Sequence, residues 1–175
     1  MQGESRATAL KGGPFAGIPG RGGESYLGHL RVVENGRLCS CGAYGCLETV
    51  AAEPYLGPQL EALRGKRERQ PEMMRELDEF ASAGIAGARE LEDDIIDKLV
   101  SAIATIVNLF TPALVLVGGT LASIAPATLL RFDAATRERI LPLLRESLRI
   151  EAADARDEFL IRGAAAIALE ELYYA

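Results

Sequence analysis

"HLRVVENGRLCSCGAYGCLE", residues 29–48, holds all three cysteines of the chain, Cys39, Cys41 and Cys46, and its one histidine, His29. Three thiolates and one imidazole are a complete donor set for a tetrahedral zinc ion. The run C-S-C-G-A-Y-G-C offers the thiolates on a glycine-containing turn. His29 lies ten residues before Cys39, across "ENGR", so a hairpin through that turn returns its ring to the loop. The competing reading is three buried thiols and a satisfied histidine, which the burial preference of cysteine allows. Four protein ligands leave no coordination position for water. Zinc here is therefore expected to be structural, its binding energy going into folding the loop.

Outward from that loop, composition narrows the classes of function. The 175 residues suit one domain or a portion of a larger one, with enough apolar side chains for a core. A net charge of −6 argues against a nucleic-acid groove or a polybasic membrane surface on this segment. The basic run "RGKRERQ" (64–70) reads as a solvated turn. An odd number of cysteines argues against a closed disulfide framework. No signal-peptide pattern opens the chain, and the apolar run "PALVLVGG" is far too short to span a bilayer. The expectation is a reduced, cytoplasmic, soluble protein.

Along the chain, glycine-rich residues 12–28 read as loops and strand ends, with "RATAL" before them as a strand. From Glu48 the character turns helical, interrupted by Pro54, Pro58 and the polar stretch 64–71. Segment 72–110 predicts strong helix. Leu91, Ile95, Ile96, Leu99, Val100, Ile103, Ile106, Val107 and Phe110 lie at three- and four-residue steps on one face. Pro112 ends that helix, and "ALVLV" (113–117) reads as a strand buried on both faces. A helix over about 134–149 turns Ile140, Leu141, Leu144 and Leu148 inward, and "RGAAAIALEELYYA" closes the chain as a helix. The order predicts one mixed α/β domain over 1–175, with a zinc-loop segment at about 24–50 and a helix–strand–helix segment at about 72–175. Few strands are available to flank 113–117, so the sheet is expected to be small or completed by residues outside this chain.

The motif "GH" followed by "CSCGAYGCLE" resembles the signature of the ROK family, which holds sugar kinases and sugar-responsive repressors. The family pattern is G-H, about ten residues, then C-x-C-G-x-x-G-C-x-E, and residues 28–48 match it at every fixed place. "NLFTPALVLVGGTLA" (108–122) and "IRGAAAIALEEL" are similar to its Gly-Gly nucleotide loop region and closing helix. The resemblance implies the C-terminal half of an actin/hexokinase-like (ribonuclease-H-like) fold, with zinc as a structural cofactor. It also implies that His29 and Glu48 lie against a bound sugar. From the residues alone Glu48 reads rather as a first-turn carboxylate favoured by the helix dipole, and the resemblance turns the reading to the sugar role. Gly118 and Gly119 are the positions at which backbone would approach a nucleotide, although Gly-Gly after a strand is commonly just a tight turn.

Two departures bear on function. Where kinase-like members carry E-x-G-H, this chain has Tyr26, and the nearest glutamate is Glu24. Either Glu24 reaches the sugar through a bulge or that contact is lost. The family's D-x-G-x-T phosphate loop and its N-D pair, whose aspartate is the general base, do not occur in these residues, so no catalytic residue is assigned. Three readings follow. The first is the effector-sensing portion of a repressor, with small sugar ligand and no nucleic-acid contact of its own. The second is half of an ATP-dependent, glucokinase-like sugar kinase. The third is a zinc-structured interaction module without a ligand. The apolar helices lead us to expect a homo-oligomer.

Overall fold

A computed structural model describes residues 9–10, 13–14, 27–66 and 72–153. Strands β1 (Ala9–Leu10) and β2 (Gly13–Pro14) pair antiparallel. A 3-10 turn, Leu27–His29, then leads into the cysteine loop, which ends in α1 (Glu48–Ala51). Helices α2 (Glu53–Arg64), α3 (Met73–Ser82) and α4 (Ala88–Phe110) follow. Strand β3 (Leu114–Val117), a 3-10 turn at Gly119–Ser123, helix α5 (Pro126–Arg139) and strand β4 (Arg149–Ala152) complete the described order.

Helix α4 is the axis around which the other described helices pack. Its apolar stripe buries Ile95, Ile96, Leu99, Val100 and Val107, as the periodicity predicts. Leu56 and Leu60 of α2, Met73, Met74 and Leu77 of α3, and Phe132 of α5 close over it. Each such side chain contributes on the order of 1.5–3 kcal/mol by leaving water. A second cluster, Ala104, Val107, Ile140, Leu144 and Leu148, covers the far end of the helix. The helix stops as expected before Pro112: Thr111 turns left-handed (φ 48°) and its amide bonds the Val107 carbonyl at 2.9 Å.

Five expectations are corrected. The 72–110 segment is two helices, because Gly84 and Gly87 take positive φ and turn the chain between them. Pro58 does not interrupt α2, which runs through it to Arg64. Arg64 is not part of a solvated turn: its side chain is 8% exposed and its guanidinium makes a two-point ion pair with Glu76 of α3. The helix placed at 134–149 ends at Arg139, and Pro142 heads a short 3-10 turn instead. Ile140, Leu144 and Leu148 are nevertheless buried, whereas Leu141 and Phe110 are exposed. Finally, β3 is only partly buried, with Leu116 47% exposed.

The strand missing from the sequence reading is β4. It pairs parallel with β3, Val115 opposite Ile150 and Val117 opposite Ala152, with α5 in the crossover. "RIEA" alternates polar and apolar over too few residues to stand out from the end of a helix. Asp78 of α3 fixes the crossover helix. Its carboxylate accepts the Ala125 amide at 2.9 Å and the Thr128 hydroxyl at 2.6 Å, capping α5 from another element. Glu24, Tyr26 and the predicted closing helix lie outside the described residues.

Candidate functional site

The cysteine loop is held by backbone bonds that the hairpin expectation misplaced. "LRVV" does not form a hairpin directly across "ENGR"; it pairs with the far end of the loop. The Val32 and Val33 amides both bond the Gly45 carbonyl, at 2.9 and 3.1 Å, and the Leu47 amide bonds the Leu30 carbonyl at 2.9 Å. The Gly45 amide returns to the Arg37 carbonyl, and Cys39 and Ala43 close the tip. Glycine at 45 is required twice over. Its φ is +75°, and a Cβ there would lie 1.8 Å from the Val33 carbonyl oxygen and force the two segments apart.

This framework carries the four predicted ligands to one point. The ligand atoms of His29, Cys39, Cys41 and Cys46 all lie within 4.8 Å of one another. The Cys41 and Cys46 sulfurs are 3.7 Å apart, and the Cys39 sulfur is 3.5 Å from His29 Nδ1. With Zn–S near 2.3 Å and Zn–N near 2.05 Å, the edges of a tetrahedron are about 3.8 Å for S–S and about 3.6 Å for S–N. Both measured edges fit. All three cysteines are free, and a 3.7 Å separation is far longer than a disulfide bond. Cys39 and Cys46 are buried, Cys41 is exposed and His29 is half-buried.

Charge in the loop is unevenly distributed. Burial, and then hydrogen bonding with Cys41 and Cys39, pushes the Cys46 thiol up to about 12. A hydrogen bond with the Ala43 backbone draws the Cys41 thiol below its ordinary value. A thiol raised in this way would have to give up its proton to ligate a dication. The sulfurs are the ligands such an ion prefers, and the set fits zinc better than a hard, oxygen-seeking cation.

Glu48, the first residue of α1, does not cap its own helix with its side chain. The carboxylate instead turns to the ligands. Oε2 lies 3.8 Å from His29 Nδ1, Oε1 lies 3.9 Å from the Cys39 sulfur, and Oε1 accepts the Ser40 hydroxyl at 3.0 Å. Thr49 ties the start of the helix to the loop through the Cys46 carbonyl at 2.7 Å. Tyr55 of α2 donates to the Leu38 carbonyl at 3.3 Å. Burial, then the charges of Cys39 and Glu48, holds its hydroxyl proton more firmly than usual. Sequence reading missed Ser40 and Tyr55, since neither carries a spacing signal; they are found only through space.

Gly118 and Gly119 belong to a different element, the junction of β3 with the 3-10 turn. Gly118 is extended (φ −116°, ψ −177°), so it needs none of glycine's left-handed freedom. A Cβ added at Gly118 would lie 4.0 Å from the Ala153 side chain, an ordinary van der Waals contact.

Among the described residues no helix is long and apolar enough to cross a membrane.

Comparison with known proteins extends the motif. The model of the ROK family matches residues 3–171. The chain is 27% identical over 170 residues to a glucokinase of Thermotoga maritima, covering 90% of this chain and 52% of that protein. It is 26% identical over 147 residues to the DNA-binding transcriptional repressor Mlc of Escherichia coli, covering 81% of this chain and 36% of the repressor. The solved structure of a ROK hexokinase from Thermus thermophilus superposes with a TM-score of 0.73 at 27% identity, covering 93% of this chain and 52% of that one. The chain spans about half the length, or less, of the curated relatives it matches. With the family pattern met from residue 3 to residue 171 and the fold shared with a solved hexokinase of that family, the chain belongs to the ROK family.

Proposed function

We propose that this chain is the zinc-structured, sugar-sensing C-terminal portion of a ROK-family transcriptional regulator. One observation carries the reading: the carboxylate of Glu48 is held 3.8 Å from the His29 ring nitrogen, with both side chains 31% exposed. A carboxylate fixed by a rigid loop and still open to solvent is suited to accept hydroxyl hydrogen bonds from a sugar. Zinc, when bound by His29, Cys39, Cys41 and Cys46, supplies rigidity and positive charge rather than a reactive water. The chain's own groups do the recognition: Glu48 accepts hydroxyls and His29 presents its ring beside them. Glu24 is a third candidate contact with the sugar.

Tyr26, at the position of the kinase-like glutamate, favours the regulator over the enzyme. The net charge of −6 supports a segment that does not itself touch nucleic acid and leaves DNA binding to another part of a repressor. A second reading, the C-terminal half of an ATP-dependent sugar kinase, draws on the likeness to the glucokinase and the hexokinase, with Gly118 and Gly119 toward the nucleotide.

Calorimetric titration with a panel of hexoses, N-acetylhexosamines and pentoses tests sugar sensing. At least one should bind, raising the melting temperature in step with its concentration. Glu48→Gln should weaken that binding by roughly tenfold or more while zinc content is unchanged. Absence of binding by every sugar would overturn the reading.

A further inference from the structure

Between two metal-ligand cysteines stands Ser40, a position the family pattern leaves open to any residue. Its hydroxyl is 3.0 Å from Glu48 Oε1, across eight residues of chain. Ser40 is exposed, so the contact is not forced by core packing. Glu48 has few other restraints. It heads a helix of only four residues, and besides Ser40 its carboxylate meets, among the described residues, only a long hydrogen bond from the Cys39 thiol to Oε1 at 3.9 Å and the His29 Nδ1 at 3.8 Å, both weaker contacts than the 3.0 Å bond from Ser40. A glutamate side chain has three rotatable bonds, and an unrestrained carboxylate loses much of that freedom on meeting a ligand.

We infer that Ser40 is a positioning residue for ligand recognition: its hydroxyl pins Oε1 of Glu48 and leaves Oε2, beside His29, as the acceptor presented to a sugar hydroxyl. The inference rests on the sugar-binding reading above. The hydroxyl rides on the backbone between Cys39 and Cys41, so the order that metal ligation gives the loop passes directly to the carboxylate. A hydrogen bond from a neutral donor to an ionised acceptor is among the stronger kind, and this one fixes direction as well as distance. An apolar residue at 40 leaves the metal site intact and frees the carboxylate. Threonine keeps the hydroxyl.

The test is a set of titrations of the chain with whichever sugar of the panel it binds. Ser40→Ala should weaken binding about three- to tenfold, with zinc stoichiometry and melting temperature unchanged. Ser40→Thr should restore it to within about twofold. In a Glu48→Ala background, Ser40→Ala should have no further effect, because its target is gone. If Ser40→Ala binds as tightly as the parent, or if its effect adds fully to that of Glu48→Ala, the positioning role is wrong while sugar sensing stands. If the parent binds no sugar, both fall together. Loss of zinc in Ser40→Ala would overturn the inference in favour of a role in holding the metal loop.

Discussion

At the scale of single residues the cysteine loop is the most heavily determined part of the chain. Cys46 is completely buried, its backbone carbonyl accepts both the amide and the hydroxyl of Thr49, and its sulfur faces Cys41. Replacing it with serine removes a soft ligand and leaves a small polar group in the same volume. Cys46→Ser should abolish stoichiometric zinc, measured by elemental analysis of the untagged chain, and lower the melting temperature by as much as chelation lowers that of the parent. If the parent carries no zinc and a chelator leaves its unfolding unchanged, the metal assignment is wrong. The clustering of His29 with the three cysteines was legible in the sequence because a soft ion needs thiolate or imidazole donors, and this chain holds four such residues, all within one short stretch. Ser40 was not, since serine is common in loops and its partner lies eight residues away.

At the scale of elements, α3, α4 and α5 are joined by a buried polar cluster that no periodicity announces. Glu92 of α4 is fully buried; Oε2 meets Arg89 at 2.5 Å and Arg131 of α5 at 3.0 Å, while Oε1 has no partner among the described residues. Burial raises the Glu92 carboxyl above its ordinary 4.5, against the pull of Arg131 and with the neighbouring Asp78 adding to the rise. Burial also acts to raise Asp78, but its hydrogen bonds with Thr128, Glu92 and Ala125 outweigh it, and the net shift is downward from 3.8. A proton on Glu92 would let the two neighbouring carboxyl groups attract rather than repel each other. The signs then separate. The Asp78 contribution is present above 3.8 and is lost as pH falls through its lower folded value. The Glu92 contribution is fully present below 4.5 and is lost as pH rises through its higher folded value. Urea unfolding between about pH 4 and pH 8 should show Glu92→Gln gaining stability relative to the parent as pH rises, with Asp78→Ala destabilised by about 2–4 kcal/mol at neutral pH. A parallel pair of curves for Glu92→Gln and the parent would refute the assignment to Glu92. Helix α4 itself was readable, because its nine apolar positions repeat at the helical step. β4 was not, because four residues supply too little pattern and its pairing partner lies 35 positions upstream.

At the scale of the whole molecule, four of the exposed apolar side chains among the described residues lie where α4 ends and α5 hands over to β4. Leu109 and Leu143 are 70% and 76% exposed, with Phe110 and Leu141 near them. The two segments are tied by Asn108, whose side-chain oxygen accepts the Leu141 amide at 2.9 Å. We propose that this patch is covered by self-association. Sedimentation velocity should show a dimer or larger species that dissociates on dilution, and the double substitution Leu109→Glu, Leu143→Glu should shift it to monomer without lowering zinc content. A parent that stays monomeric at every concentration would contradict this. Sequence alone determined which four residues could form a soft-metal cluster, the apolar face of α4, the position of β3 and the family, because each is written in residue identity or in a repeat a few residues long. Tertiary structure alone decided that "LRVV" joins Gly45 rather than the residues just past "ENGR", that Asp78 caps a helix 47 residues away, and that Glu48 turns to His29 and Ser40 instead of its own helix. These are choices between groups of equal local merit. Gly45 has no side chain to signal its partner, and a carboxylate's partner is whichever donor the folded chain brings within about 3 Å.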